Sequence, residues 1–151
     1  MPRALLLMIC FSFVLTGCGT HLSRSVAPSQ GDESSQVRKS VDELFASFQA
    51  RDLDRFSSQV SRLYFNDKQR LELRVRRDFN AHQDVRFNYT LTEISPDGLG
   101  RVFVTLNYDR THFSLAEGQQ VRKSGQASFI FYREENHYRL VYQRPPLFGL
   151  H

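Results

Sequence analysis

Few residues of this sequence are suited to covalent cross-links or to metal ligation. The 151 residues include two cysteines and five histidines, and no two histidines are close neighbours in the sequence. Two cysteines cannot form the disulfide framework of a small secreted domain. Histidines without the spacing of a ligand pair do not indicate a zinc site. We therefore expect no metal.

The glycine patterns that hold phosphate groups or present a nucleophile are also missing. Gly98 and Gly100 lie in a predicted hairpin rather than between a strand and a helix, so they do not indicate a phosphate-binding loop. The sequence has no Gly-x-Ser-x-Gly segment, which would mark a nucleophile elbow. No cofactor is expected.

Charge of one sign does not dominate the chain. Lys and Arg number 20 against 16 Asp and Glu, and no block of like charge stands out, so nucleic acid is not an expected partner. The content of 40% hydrophobic and 24% charged residues is typical of a soluble globular protein. The length suits one domain.

The N-terminus has the pattern of an export signal. A short basic start, Met1–Arg3, precedes the apolar run Ala4–Leu15, which is too short to span a bilayer and is typical of a signal peptide. The run continues into Leu15-Thr16-Gly17-Cys18, which resembles the lipobox of bacterial lipoproteins. The alternative is an ordinary signal peptide with a chance cysteine near its cleavage site.

The lipoprotein resemblance implies that residues 1–17 are removed and that Cys18 is acylated. Several acyl chains would hold the protein on a membrane without spanning it. Gly19 stands where an Asp often retains such proteins at the inner membrane, so the resemblance implies an outer-membrane anchor facing the periplasm. Residues 18–35 are rich in Ser, Gly, Thr and Pro, which predicts a flexible linker.

Residues 36–151 are predicted to form the folded domain, with order beginning near Ser34 or Ser35. Three segments have apolar residues at the spacing of amphipathic helices, and Asp52 is a predicted N-cap of the second. The three apolar sets are Val37, Val41, Leu44, Phe45 and Phe48; Leu53, Phe56, Val60 and Leu63; and Leu71, Val75 and Phe79.

After Asn80 the apolar period changes to two, which predicts strands. The alternating segments run over residues 85–92, 101–108, 121–133 and 137–143, and Ser95-Pro96-Asp97-Gly98 has turn composition. Helices followed by an antiparallel meander predict an α+β fold. We expect the helices to pack on the concave face of a curved four- to five-stranded antiparallel sheet.

This order of elements resembles the NTF2-like superfamily, also described as SnoaL-like or as a cystatin-like cone. The resemblance is carried by residues 41–48, 51–54, 138–142 and 147–149. It implies a pocket inside the cone, between helices and sheet. The superfamily usually has a further short strand, for which Tyr64-Phe65 is the available segment.

Enzymes of this superfamily place a carboxylate or histidine base and a tyrosine or acid donor inside the cone. The candidates here are Tyr64, Asp78, His82, Tyr89, Tyr108, Asp109, His112 and Glu117. The strand alternation puts Asp109 on the outer face, and His112 and Glu117 are predicted in a loop, so we assign no catalytic residue. The predicted pocket residues are Phe45, Tyr64, Phe87, Tyr89, Leu106 and Tyr108.

Arg70, Arg74 and Arg77 form a cationic stripe on the third predicted helix, opposite Leu71 and Val75. One interpretation is a solvated face offset by nearby acids. The other is a contact with anionic headgroups, lipopolysaccharide phosphates or an acidic protein surface.

Two functions remain open. The first is a non-catalytic envelope module that binds a protein partner or a small apolar ligand. The superfamily resemblance adds the option of a homodimer through the sheet. The second is a small cofactor-free periplasmic enzyme of isomerase, dehydratase or hydrolase type. A carboxylate or histidine bonded to Tyr89 or Tyr108 would favour the enzyme, and a cone filled by Phe45, Phe87 and Leu106 would favour the module.

Replacing Cys18 tests the predicted anchor. Cys18→Ser is expected to abolish palmitate labelling and to leave an unprocessed or soluble protein, because the acylated thiol is then missing. Labelling and fractionation of cell envelopes measure this. Wild-type protein free in the periplasmic extract would contradict the anchor.

Overall fold

The computed structural model describes residues 30–149. The predicted signal peptide, Cys18 and most of the predicted linker lie outside these residues. Three helices precede four strands. They are α1 (Gln30–Gln49), α2 (Leu53–Ser58), α3 (Lys68–Ala81), β1 (His82–Pro96), β2 (Arg101–Ser114), β3 (Gln119–Glu134) and β4 (His137–Arg144).

The predicted α+β architecture is confirmed. The strands form one antiparallel sheet in the order β1-β2-β3-β4, and the helices pack on its concave face. The described sheet has four strands. At the place available for a fifth, Tyr64-Phe65, the Phe65 amide donates to the Val141 carbonyl at 2.9 Å, and shortly before it Val60 makes a single bridge to Leu140.

α1 begins at Gln30, inside the segment that the sequence assigns to the linker. Asp32 and Glu33 lie in its first turn, where negative charge is favourable near a helix N-terminus. The Glu33 carboxylate also accepts a hydrogen bond from the Tyr138 hydroxyl of β4. A long-range contact of this kind has no signature in local composition, so the sequence pattern does not show that the helix begins before residue 36.

α2 is shorter than its apolar pattern predicts. Asp52 is the N-cap, accepting from the Arg55 amide at 2.9 Å as expected, but the helix ends at Ser58. Val60 is buried, whereas Leu63 lies beyond the helix and is 71% exposed. The third predicted helix is confirmed, with Leu71, Val75 and Phe79 buried.

β2 continues past its predicted end to Ser114. Its inward-facing residues alternate from Val102 through Tyr108 to Arg110 and His112, which are both buried. His112 is therefore a strand residue and not the loop residue that the sequence suggested. The alternation simply runs on through polar side chains, because side-chain direction depends on strand geometry rather than on polarity.

The centre of the core is a cluster of phenyl rings that includes the chain's own tail. Phe148 lies 5.0–6.0 Å, between ring centroids, from five other rings, and it is fully buried. Its ring partners are Phe45, Phe48, Phe56, Phe87 and Phe129. The segment after β4 thus fills the space between the helices and the sheet.

Gln143 fixes this tail. Its buried Oε1 accepts hydrogen bonds from the amides of Leu147 and Phe148, at 2.8 and 3.0 Å. Its Nε2 donates to the Tyr64 hydroxyl at 3.1 Å and to the Phe148 carbonyl at 3.3 Å. One amide side chain therefore satisfies three buried backbone groups of a segment that lies outside regular secondary structure.

Gln143→Leu tests the role of this side chain. Leaving the Leu147 and Phe148 amides buried without partners is expected to cost about 2–4 kcal/mol of unfolding free energy. Urea denaturation monitored by circular dichroism measures the loss. Gln126→Leu, at an exposed position of β3, is the matched control. A loss equal to that of the control would show that the tail is not held by Gln143.

Candidate functional site

A buried ion pair joins α3 to the middle of the sheet. Arg110 of β2 and Asp78 of α3 are both fully buried. Nη2 of Arg110 donates to Oδ1 of Asp78 at 2.6 Å, and Nη1 donates to Oδ2 at 3.1 Å. Two parallel hydrogen bonds of this kind fix the orientation of both side chains and hold their opposite charges in contact.

The surroundings of Arg110 are aromatic. Its guanidinium carbon lies 5.8 Å from the Phe48 ring centroid and 5.6 Å from that of Phe87, within the range of cation–π attraction. Nη1 also donates to the Leu147 carbonyl of the tail at 3.4 Å. The arginine thus contacts α1, β1, α3 and the tail at once.

His82 extends the pair towards the surface. Its Nδ1 lies 2.6 Å from Oδ1 of Asp78, and its side chain is 17% exposed. A carboxylate that holds one ring nitrogen of a histidine orients the ring, as in catalytic Asp–His pairs. Asp78 and His82 form the one arrangement of the described residues that we find suited to general base chemistry. Because Asp78 is also engaged by Arg110, the carboxylate itself is not available as a base.

His112 lies against His82 but is buried more deeply. The two ring centroids are 4.2 Å apart, and Nδ1 of His112 has no hydrogen-bond partner among the described residues. Burial and the adjacent Arg110 charge lower the pKa of His112 to about 4, with smaller contributions from His82 and Lys123 and an opposing one from Asp78. His112 is therefore neutral at physiological pH.

Two of the three tyrosines of the predicted pocket, Tyr89 and Tyr108, lie at its rim. Tyr89 stacks on Phe45, with ring centroids 4.2 Å apart, and its hydroxyl donates to Oδ1 of Asp42 at 2.6 Å. Burial and this carboxylate raise the pKa of Tyr89 well above its usual value. Tyr108 covers Gly125 on the neighbouring strand, where a Cβ would lie 3.2 Å from the Tyr108 hydroxyl. Asp42 is exposed on α1, so its pairing with Tyr89 lies at the surface.

The other predicted pocket residues are part of the core. Phe45, Phe87 and Leu106 are buried and pack in the cluster that contains Phe148. Tyr64 is buried with its hydroxyl bonded to Gln143, and burial raises its pKa. The structure therefore brings these side chains together, but with a phenyl ring of the tail between them.

Two of the acidic candidates lie away from the cone. Asp109 faces outward, as the alternation predicts, and forms an ion pair with Arg122 that lowers the pKa of the Asp109 carboxyl. Glu117 lies in the turn between β2 and β3. Neither approaches Asp78, His82 or the tyrosine hydroxyls in the described hydrogen bonds.

The cationic stripe lies along a surface cleft. Arg70, Arg74 and Arg77 line it together with Leu73 and Phe65. Arg70 and Arg77 are exposed, whereas Arg74 is half-buried and its stem contacts the tail at Gly149. Gly149 has φ +73° and leaves no room for a Cβ, which would lie 2.7 Å from Cβ of Arg74.

Sequence reasoning missed Arg110 and Asp42. Arg110 could have been found by extending the inward alternation of β2 by one step beyond Tyr108. Asp42 stands on the polar side of α1, and only the tertiary packing of α1 against β1 shows that it reaches Tyr89.

Between residues 30 and 149, no group of three His, Cys, Asp or Glu side chains is arranged to hold a metal ion. Within the same range, every helix is too short or too polar to cross a bilayer.

Comparison with solved structures identifies the fold as NTF2-like. A conserved protein from Planctomyces limnophilus has a TM-score of 0.68 and 13% identity, over 76% of this chain and 94% of that chain. A ketosteroid isomerase-like protein from Erwinia carotovora atroseptica has a TM-score of 0.64 and 13% identity, over 74% and 93%. An NTF2-like superfamily protein from Salmonella enterica serovar Typhimurium has a TM-score of 0.62 and 10% identity, over 76% and 90%.

The TM-scores show that these proteins share a fold with this chain. Sequence identities as low as these do not show a shared activity. No protein-family model matches the sequence, and neither does any curated protein.

The depressed pKa of His112 predicts an acid-sensitive fold. Its folded-state pKa of about 4 lies below the ordinary value of 6.5, so between these two values the unfolded chain binds more protons. Stability must then fall as the pH drops from about 6.5 towards 4. For a buried group the shift corresponds to a loss on the order of 3 kcal/mol.

His112→Gln is expected to remove this part of the pH dependence. The measurement is urea denaturation at several pH values, and the difference between variant and wild type isolates the contribution of His112 from that of the carboxylates. His137→Gln, at an exposed histidine, is the control. Parallel stability curves for wild type and His112→Gln would contradict the low pKa.

Proposed function

We propose that this chain is a lipoprotein, anchored at the outer membrane through acylated Cys18, whose NTF2-like domain faces the periplasm as a non-catalytic binding module. The location is supported by the sequence alone: the basic start, the short apolar run and the lipobox-like segment ending at Cys18. The absence of an Asp at position 19 favours the outer membrane by resemblance.

The filled cone is the observation that carries the non-catalytic assignment. Small-molecule sites are concave and leave room for a ligand beside a few polar groups. Here the corresponding volume holds Phe148, packed against phenyl rings from α1, β1 and β3. The charged pair inside, Arg110 with Asp78, is joined by two hydrogen bonds, and of its side-chain atoms only Nε of Arg110 lacks a hydrogen-bond partner among the described residues. A binding function would therefore use the outside of the domain.

The enzyme remains the second candidate because of two contacts. Asp78 orients His82, which is partly exposed, and Asp42 accepts the hydroxyl proton of Tyr89 in a hydrogen bond. An acid–base pair needs a reacting group within hydrogen-bond reach. For the cone to admit a substrate between these groups, the tail that carries Phe148 would have to leave.

Binding of a small aromatic probe tests whether the cone is filled, the observation on which the non-catalytic assignment depends. Wild-type protein is expected not to bind toluene in an NMR titration, since Phe148 occupies the interior. Phe148→Ala is expected to lose about 3–5 kcal/mol of stability and to bind toluene in the ring-sized cavity that it creates. Phe103→Ala, on the exposed outer face of β2, is the control, with little loss of stability and no binding.

The wild-type titration decides the question even if Phe148→Ala fails to fold. Saturable binding of toluene by the wild-type protein, with shifts at Phe87 and Leu106, would show an accessible cone. The filled cone would then no longer support the assignment, and the domain would be either an enzyme or a module that binds a small apolar ligand in its cone.

A further inference from the structure

Large apolar side chains and arginines share one exposed surface. Leu63, Phe65 and Leu73 are 71%, 77% and 54% exposed. Phe65 and Leu73 line a cleft with Arg70, Arg74 and Arg77, and Leu63 and Phe65 line the adjoining one with Val141 and Tyr142. Phe65 belongs to both clefts, so the surface is continuous. We call Leu63, Phe65, Arg70, Leu73, Arg74 and Arg77 the basic–apolar surface.

The exposed side chains are held outward by a fixed backbone. Tyr64, between Leu63 and Phe65, is buried and bonded to Gln143. The Phe65 amide donates to the Val141 carbonyl at 2.9 Å, and the Phe65 ring contacts that of Tyr142. With Tyr64 anchored inside, its two neighbours must point to solvent. A change of rotamer would therefore not bury Leu63 or Phe65 in the core.

α3 presents the other half of the surface. Arg70, Leu73, Arg74 and Arg77 recur at the spacing of one helical face, opposite the buried Leu71 and Val75. Leu73 thus lies among three arginines, on the side of the helix that does not contact the core. A helix face that contacts only water gains nothing from a leucine there. The exposed Leu73 therefore enlarges the apolar area that Leu63 and Phe65 form.

The charge of this surface is not neutralised within the domain. Among residues 30–149, Arg74 and Arg77 have no carboxylate within 4.0 Å, and Arg70 reaches Asp67 only at 4.0 Å, with both side chains exposed. Glu72 of the same helix is bonded to Ser57. A second copy packed on this surface about a two-fold axis would bring arginines against arginines, so the charge favours an anionic partner.

We propose that the basic–apolar surface docks the domain on an anionic phospholipid membrane. The arginines would bind headgroup phosphates, while Leu63, Phe65 and Leu73 would enter the boundary between headgroups and acyl chains. Basic residues combined with Phe and Leu are the composition that binds membrane interfaces. An acidic protein would need an apolar patch of its own that matches these three side chains, whereas an anionic bilayer offers phosphates and an apolar interior at every point of its surface.

This proposal rests on the proposed membrane anchor and extends it. Cys18 and Gln30 are about a dozen residues apart in the sequence. At no more than about 3.5 Å per residue, that segment cannot hold the start of α1 more than about 40 Å from an anchored Cys18. The tethered domain would therefore meet the bilayer surface continually, and even a weak docking surface would be used.

Vesicle binding without the lipid tests the surface by itself. The probe protein is the chain from residue 18 with Cys18→Ser, which contains all the described residues. It is sedimented with vesicles of phosphatidylcholine alone or with 30% phosphatidylglycerol, at low and at high salt. We expect binding that requires phosphatidylglycerol and decreases with salt, because the headgroup attraction is screened.

Two double variants separate charge from apolar contact. Arg70→Gln with Arg77→Gln, and Phe65→Ser with Leu73→Ser, are each expected to weaken vesicle binding about tenfold or more. Arg86→Gln with Lys123→Gln removes the same charge at exposed positions outside the surface and should change binding less than about twofold. All are exposed positions, so thermal unfolding of each variant should stay within about 2 °C of the parent.

Each other outcome overturns the proposal. No preference for phosphatidylglycerol vesicles, or equal weakening by the control pair, would show that this surface does not dock on membranes. Binding to poly-glutamate but not to the vesicles would assign the surface to an acidic protein instead.

Flotation of the acylated wild-type protein separates membrane binding through the lipid anchor from membrane binding through the basic–apolar surface. If the acylated chain floats with vesicles while the Cys18→Ser chain does not bind them, the anchor stands and the docking surface is wrong. If the chain isolated from envelopes carries no lipid, the proposed anchor fails, and the Cys18→Ser measurements still decide the docking surface.

Discussion

A positive charge in the middle of an aromatic core has to be neutralised, and the pairing of Arg110 with Asp78 organises the interior around it. An unpaired buried guanidinium would cost several kcal/mol. Two hydrogen bonds from Arg110 to Asp78 offset this cost, and they position the end of α3 over β2. The same arginine contacts rings of α1 and β1 and the Leu147 carbonyl. Removing one partner alone would leave the other charge buried.

The segment after β4 packs into this interior and fills the space that remains there. Leu147 and Phe148 come after the last strand, yet both are buried, with their amides bonded to Gln143. Gly149 then passes Arg74 closely enough to exclude a side chain. The arginine stripe of α3 and the filled cone are thus linked, because the tail that fills the cone leaves it beneath Arg74. One consequence is that Arg74 is less exposed than Arg70 and Arg77.

Local periodicity was sufficient for the order of elements and for most of the core, and it failed where contacts are long-range. The buried faces of α3 and of the first half of β2 follow directly from spacing, as do the Asp52 cap and the outward direction of Asp109. Arg110 and His112 continue the same alternation, but their polarity concealed it. The early start of α1 depends on Tyr138, and the exposure of Leu63 depends on Tyr64. The insertion of Phe148 depends on Gln143. These partners are distant in sequence, and no local pattern indicates them.

The distribution of polar groups between inside and outside favours function at the surface. Inside, two hydrogen bonds join Arg110 to Asp78, and His112 is kept neutral by burial and by the arginine. Nε of Arg110 and Nδ1 of His112 are the buried atoms there that have no hydrogen-bond partner among the described residues. Outside, three arginines and three large apolar side chains remain without comparable partners in the described domain. A contiguous exposed apolar patch usually marks an interaction site. The position of these side chains on α3 and on the loop anchored by Tyr64 is a physical reason to place recognition there rather than within the cone.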